Sequence, residues 1–171
     1  MSFVARNHPQ QVAVNGASQE VDDRGTDLEF FARMEARFHF TIDAAAAAHN
    51  AKCERYYDRE ANGLEQPWAD ERVWCNPPYS DIRAWVAKAW NEWWADFRPN
   101  LIVMLLPANR TEQGWWQDLV EPHRDRVGSP LRVEFLRGRM RFIQAGRTGI
   151  GPNERPPFGC CLLIWSWETG L

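Results

Sequence analysis

Apolar residues recur at helical spacing through Leu28, Phe31, Met34 and Phe38, just behind Thr26 and Asp27, either of which can cap a helix. That pattern predicts a first packed helix. The run Phe38-His39-Phe40-Thr41-Ile42 then alternates like a strand and ends in the carboxylate of Asp43, followed by five alanines. Alanines favour helix, yet directly after a strand they also make a turn without bulky side chains, where a ligand can come close to the backbone. A polar connection follows, with His49, Asn50, Lys52, Tyr56-Tyr57 and an Asn62-Gly63 turn signal, before a second strand at Val73. From Ser80 to about Phe97 a helix is expected, capped by Ser80, because Ile82, Trp85, Val86, Ala89, Trp93 and Phe97 share one face. The continuous run from Leu101 to Leu106, stopped by Pro107, suits a central strand covered on both faces.

The remaining pattern predicts a helix through Trp115, Trp116, Leu119 and Val120, then alternation over Leu131-Arg132-Val133-Glu134-Phe135. A turn at Arg137-Gly138 into Met140-Arg141-Phe142 suggests a hairpin, and Cys160 to Trp165 reads as a last buried strand. Gly146 to Pro157 is loop, including the Gly149-Ile150-Gly151 triplet, which does not stand at a strand-to-helix turn. Strand, crossover helix and strand recur, so the expected class is α/β with a mainly parallel sheet and an antiparallel hairpin edge. Residues 1–22 lack periodicity and read as a flexible N-terminal arm, leaving residues 23–171 as a single packed domain.

Composition changes this picture little. Hydrophobic content of 44% and charged content of 25% are ordinary for a globular chain, whereas ten Trp are many and must largely be core. Cys53, Cys75, Cys160 and Cys161 have neither zinc-ligand spacing nor a disulfide framework, so reduced thiols and no metal are expected. No run reaches the roughly 18 apolar residues of a membrane span, and the N-terminus lacks an apolar signal core, so a cytoplasmic protein is expected. The net charge is -3, but Arg124, Arg126, Arg132, Arg137, Arg139, Arg141 and Arg147 crowd one segment against only Asp125 and Glu134. Such a cluster is either a solvated face or a phosphate-tracking surface.

Ligands of open α/β sheets bind at the carboxyl ends of strands, where Asp43 and Asn76 both fall. The segment Val73-Trp74-Cys75-Asn76-Pro77-Pro78-Tyr79-Ser80 is the chemically richest stretch. Two prolines fix φ, Asn76 and a proline carbonyl offer acceptors, and Tyr79 offers a flat ring. A planar base carrying an amino group would fit; the plain alternative is a proline turn between strand and helix.

With these pieces in order, the sequence resembles the phage-type DNA adenine-N6 methyltransferases, within the S-adenosylmethionine-dependent amino-methyltransferase superfamily. The resemblance is carried by Phe40-Thr41-Ile42-Asp43-Ala44-Ala45-Ala46, Asn50-Ala51-Lys52-Cys53, Asn62-Gly63-Leu64 and Trp74-Cys75-Asn76-Pro77-Pro78-Tyr79-Ser80. Leu105-Leu106-Pro107-Ala108, Arg137-Gly138-Arg139 with Phe142, and Pro157-Phe158 complete it. The chain departs from the family pattern in having Arg24-Gly25-Thr26-Asp27 where a Thr-Pro pair is common, and alanines after Ile42 in place of a glycine-rich loop.

The resemblance implies a Rossmann-like class I methyltransferase fold. It is trimmed here, because the 33 positions from Asp43 to Asn76 cannot hold several βα units. It also implies transfer of a methyl group from S-adenosylmethionine to adenine N6 in DNA, with the base flipped out or single-stranded and no metal. Asn76, Pro77, Pro78 and Tyr79 become the implied catalytic residues; Asp43, Ala44, Ala45 and Thr26, together with Asn76, the implied cofactor contacts. Arg110, Arg137, Arg139, Arg141 and Arg147 become the implied DNA contacts. Two alternatives share these features: a non-catalytic nucleic-acid-binding module on the same fold, and an N-methyltransferase acting on RNA adenine or protein glutamine. The site read, strandedness and oligomeric state do not follow from the sequence.

Overall fold

A computed structural model describes residues 25–140, 142–143 and 158–168. The N-terminal arm, Arg141, Arg147, Pro157 and the Gly149-Ile150-Gly151 triplet lie outside the described residues. Ten elements follow in order: β1 (Gly25–Thr26), α1 (Leu28–Phe38), β2 (Ile42–Asp43), β3 (Arg72–Cys75), α2 (Ile82–Trp93), β4 (Leu101–Pro107), α3 (Gly114–Leu119), β5 (Leu131–Phe135), β6 (Phe142–Ile143) and β7 (Cys160–Trp165).

The main sheet has the order β2-β3-β4-β7-β5. Strands β2, β3 and β4 are parallel neighbours, whereas β7 runs antiparallel between β4 and β5. The fold is thus mixed α/β, and the expectation of a mainly parallel sheet with a hairpin edge is corrected. β5 and β6 do not pair: β5 takes β7, and β6 joins β1 in a separate two-stranded ribbon. The reason lies at both edges of β5. The six apolar residues of β7 need cover on both faces and occupy the inner edge. At the outer edge Asp125 accepts the Val133 N–H on Oδ1 and donates its own N–H to the Leu131 carbonyl. With Gly138 at φ 77°, the chain turns away to reach β1.

Side chains alternate across the sheet with the two-residue period of a strand. Leu101, Val103 and Leu105 of β4 face α1 with Trp74, Leu162 and Ile164, while Ile102, Met104 and Leu106 face α2 and α3 with Val73, Leu163 and Trp165. All seven residues of β4 are buried, as its continuous apolar run requires. The apolar stripe of α2 is buried through Ile82, Trp85, Val86, Ala89 and Trp93. The helix is shorter than the pattern suggested. Asp81, not Ser80, stands at its N-cap, without a side-chain cap bond, and Phe97 lies beyond its end, 75% exposed. Helix α3 likewise stops at Leu119.

The first strand is also shorter than expected. Phe38 ends α1, His39 adopts a left-handed conformation (φ 53°) and its N–H closes on the Glu35 carbonyl. Phe38 and Phe40 then lie in one cluster with Phe31 and Trp74, while Ile42 joins the cluster on the opposite face of the sheet, so the expected two-residue phase is not kept. Helix α1 is capped by Asp27, which accepts the Glu29 N–H, and is tied to β5 by a two-bond Arg37–Glu134 pair at 2.6 and 2.7 Å. Arg37 holds the Glu134 carboxyl below its ordinary pKa.

Between β2 and β3 the chain crosses over without a helix. Residues 55–57 run along the outer edge of β2, where the Asp43 N–H donates to the Arg55 carbonyl and the Tyr57 N–H to the Asp43 carbonyl. No βα unit intervenes between the two strands, where the spacing excluded only several, and the expected crossover helix is absent there. Among the described residues all four cysteines are free thiols, three of them buried. No helix there is long and apolar enough to cross a membrane.

Candidate active site at the carboxyl edge of the parallel strands

Strands β2 and β3 end side by side. Asp43 pairs with Trp74, so Asn76 stands two residues further along the neighbouring strand, on the order of 8 Å away by strand geometry. The Asn76-Pro77-Pro78-Tyr79 turn therefore leaves the sheet next to the Asp43 carboxylate. Asn76 is half-buried with its Oδ1 shielded from solvent, and Pro77 is buried. Tyr79 is half-buried; its ring meets Phe142 edge-on at 6.4 Å and tilts against Phe158 at 6.3 Å. Its hydroxyl donates to the Leu105 carbonyl at 3.4 Å, and burial pushes its pKa well above the usual phenol value.

Asp43 is 2% exposed. Its Oδ1 accepts the Ala45 N–H at 3.3 Å and its Oδ2 the Lys52 N–H at 3.0 Å, so one carboxylate folds the alanine run into a turn instead of a helix. Desolvation raises its pKa to about 6, against the opposing pull of those two N–H groups and of the Lys52 charge. Lys52 is itself desolvated and held below the ordinary ammonium value.

Two residues that the sequence marked as motif pieces shape this corner. Asn50 Oδ1 accepts the Ala47 N–H at 2.7 Å, closing the loop. Gly63 presses on β2: a Cβ there would sit 2.0 Å from the Ala44 carbonyl oxygen, and the buried Trp68 indole donates to the Gly63 carbonyl. Only glycine permits that approach. Gly63→Ala is expected to lower the melting temperature by roughly 5 °C or more, an overpacking cost of about 1–3 kcal/mol or above. Calorimetric melting of the variant at matched pH checks it, and an unchanged midpoint refutes the contact.

The predicted residues are brought together unevenly. Asp43, Asn76, Pro77 and Tyr79 share the carboxyl edge. Thr26 lies in β1, which crosses the Asn50–Lys52 loop near Gly25; its Oγ1 is buried and finds no hydrogen-bond partner among the described residues. Ala44 is fully buried and packs toward α2, so it contributes backbone path, while Ala45 is half-buried. The arginine cluster divides. Arg124 pairs with Glu121 and Asp125, and Arg132 lies beside Glu134, whereas Arg137 and Arg139 are exposed on the turn that leads to Phe142 and hence to Tyr79. Arg110 donates from Nη1 to the Tyr79 carbonyl at 2.9 Å. Phe142 and Phe158 were legible only as motif pieces; their aromatic character after an arginine turn was the available signal. No cluster of three or more metal-ligating side chains occurs among the described residues.

An Asn-Pro-Pro-Tyr turn thus stands beside a buried carboxylate at the carboxyl ends of adjacent parallel strands of a mixed α/β protein, the edge at which ligands of open α/β sheets bind. Comparison with known proteins gives that class a family. Residues 15–168 match the family described as DNA N-6-adenine-methyltransferase (Dam). The chain is 39% identical over 134 residues to a DNA N-6-adenine-methyltransferase of Escherichia phage T1, covering 72% of this chain and 54% of that protein. It is 28% identical over 89 residues to a protein of the same name from Haemophilus phage HP1, covering 52% of this chain and 49% of that protein. The chain belongs to the DNA N-6-adenine-methyltransferase (Dam) family. It spans about half the length of the curated relatives it matches.

Proposed function

We propose that this chain transfers a methyl group from S-adenosylmethionine to the N6 amino group of adenine in DNA, on a trimmed Rossmann-like class I methyltransferase fold. The observation that carries the reading is the Asn76–Tyr79 turn standing one strand away from buried Asp43 at the carboxyl edge. The adenine amino nitrogen is a weak nucleophile because its lone pair is conjugated into the ring. Asn76 Oδ1 and the Pro77 carbonyl would accept its two N–H hydrogens, raising electron density on nitrogen as the new bond forms. Alignment supplies the larger share, since holding reactants in line is worth on the order of 7 kcal/mol in ideal cases. Tyr79, backed by Phe142 and Phe158, would stack on the extruded base at about 1–3 kcal/mol, offsetting part of the cost of unstacking it.

S-adenosylmethionine, when bound, supplies an electrophilic methyl on its sulfonium. The residues present fit it: Asp43 is a dry carboxylate suited to an ammonium group, and the buried Oγ1 of Thr26, without a hydrogen-bond partner among the described residues, suits a polar ligand group. Transfer of tritiated methyl to single- and double-stranded DNA, followed by digestion to nucleosides, tests the reading; label in N6-methyldeoxyadenosine is expected. The same transfer offered RNA and protein substrates, with label in RNA adenine or in glutamine and none in DNA, redirects it to the related N-methyltransferases. No transfer, with no S-adenosylmethionine binding by calorimetry, leaves a nucleic-acid-binding module.

Arg137 and Arg139 support a DNA track ending at Tyr79, continued in the proposal by Arg141 and Arg147. Replacing Arg137, Arg139 and Arg141 by Gln should weaken DNA binding and reduce the slope of log K against log salt by about 0.7–0.9 per lost phosphate contact. Fluorescence titrations from 50 to 200 mM salt check this. An unchanged slope places the track elsewhere.

A further inference from the structure

We propose that Arg110 is a positioning residue that clamps the Asn76–Tyr79 turn to the end of β4, an inference that rests on reading that turn as the adenine amino site. The turn has few donors of its own, because Pro77 and Pro78 carry no N–H. Each proline fixes its own φ and confines ψ of the residue before it, so Asn76 and Pro77 form one stiff unit whose placement depends on how the far end, from Pro78 onward, is tied. Among the described residues, three bonds tie Pro78 and Tyr79. The Asp81 N–H donates to the Pro78 carbonyl at 3.3 Å and the Tyr79 hydroxyl to the Leu105 carbonyl at 3.4 Å, both long. Arg110 Nη1 donates to the Tyr79 carbonyl at 2.9 Å, the shortest of the three and the only one carrying charge.

The clamp has a firm base. Arg110 follows shortly after Pro107, the last residue of fully buried β4, and is itself half-buried. Its loop is fixed by the Ala108 N–H on the Gly159 carbonyl at 2.9 Å and the Gln113 N–H on the Arg110 carbonyl at 3.2 Å. The guanidinium thus spans two strand ends at the carboxyl edge, joining the central strand to the turn that must hold a base still. An arginine close to such a site reads first as a phosphate ligand; the bond to a carbonyl of the turn assigns it differently.

The test compares Arg110→Gln and Arg110→Lys with the unaltered chain. Amide hydrogen exchange should quicken about 10-fold over residues 74–82 in Arg110→Gln and stay unchanged over 101–107. The rate constant for methyl transfer should fall about 10- to 100-fold, the size of a small misplacement of reacting groups, while KM for DNA and the salt slope hold within two-fold. Arg110→Lys, which keeps a charged donor, should recover part of the rate. Unchanged exchange overturns the proposal, as does exchange quickened throughout β4, since Arg110 would then hold the fold and not the turn. A raised KM with unchanged kcat and a salt slope lower by about one also overturns it, marking a phosphate contact. Should the unaltered chain transfer no methyl group, the functional reading fails and exchange alone decides the clamp.

Discussion

Asn76→Ala is expected to lower the rate of methyl transfer by about 10²- to 10³-fold, the loss seen when one oriented hydrogen-bonding group leaves a preorganised site. Asn76 is the first residue past β3, its Oδ1 is shielded from solvent, and the next two residues are prolines that fix the direction in which the turn leaves the sheet. Alanine keeps that backbone path and deletes the carboxamide with its Oδ1 acceptor. Affinity for S-adenosylmethionine should therefore stay within a few-fold, because the lost group addresses the base. Asn76→Asp retains an acceptor at the same reach and should keep more activity than alanine. Single-turnover methylation set against calorimetric cofactor binding separates the two effects, and near-normal turnover in Asn76→Ala would falsify the site assignment.

How much of this was written in the sequence can be judged residue by residue. Leu101 to Pro107 was legible as a central strand because only a strand covered on both faces tolerates such a run. The stripe Ile82, Trp85, Val86, Ala89 and Trp93 was legible for the equivalent helical reason. Asp43 and Asn76 became neighbours once both were recognised as strand ends. Other features depend on contacts that local pattern does not encode. Alternation in Leu131–Phe135 tells which face is buried but not which strand lies alongside, so a nearby hairpin partner was expected where distant β7 stands. One left-handed residue, His39, converted an apparent strand into a helix end, which no periodicity argument anticipates. Charge counting saw an arginine cluster; it could not see that Glu121 and Asp125 hold Arg124 while Arg137 and Arg139 stay exposed. Gly63 appeared as a turn signal, whereas its necessity comes from the carbonyl of Ala44 pressed against it.

Asp43→Asn carries the second large expectation: affinity for S-adenosylmethionine at pH 7 should fall about 10- to 100-fold, the worth of a hydrogen bond to a charged group, roughly 1.5–3 kcal/mol. The pH dependence makes the test sharper than the loss alone. Burial raises the Asp43 pKa from 3.8 to about 6, so between those values the folded chain holds a proton that the unfolded chain has released. Stability from this group is therefore greatest below about pH 4 and declines as pH rises through 6, opposite in sign to Glu134, whose lowered pKa contributes stability above the ordinary carboxylate range. A cationic ligand reverses the preference at Asp43, because only the ionised carboxylate pairs with it. Cofactor binding should then expel a proton near pH 6, and affinity should drop as pH falls from 7 to 5. In Asp43→Asn both the proton release and that slope should vanish, and melting between pH 4 and 6 should lose its Asp43 component. Calorimetry in buffers of different ionisation enthalpy reads the released proton directly. Equal pH slopes for Asp43→Asn and the unaltered chain would remove Asp43 from the cofactor site and leave it as the residue that folds the alanine turn through Ala45 and Lys52.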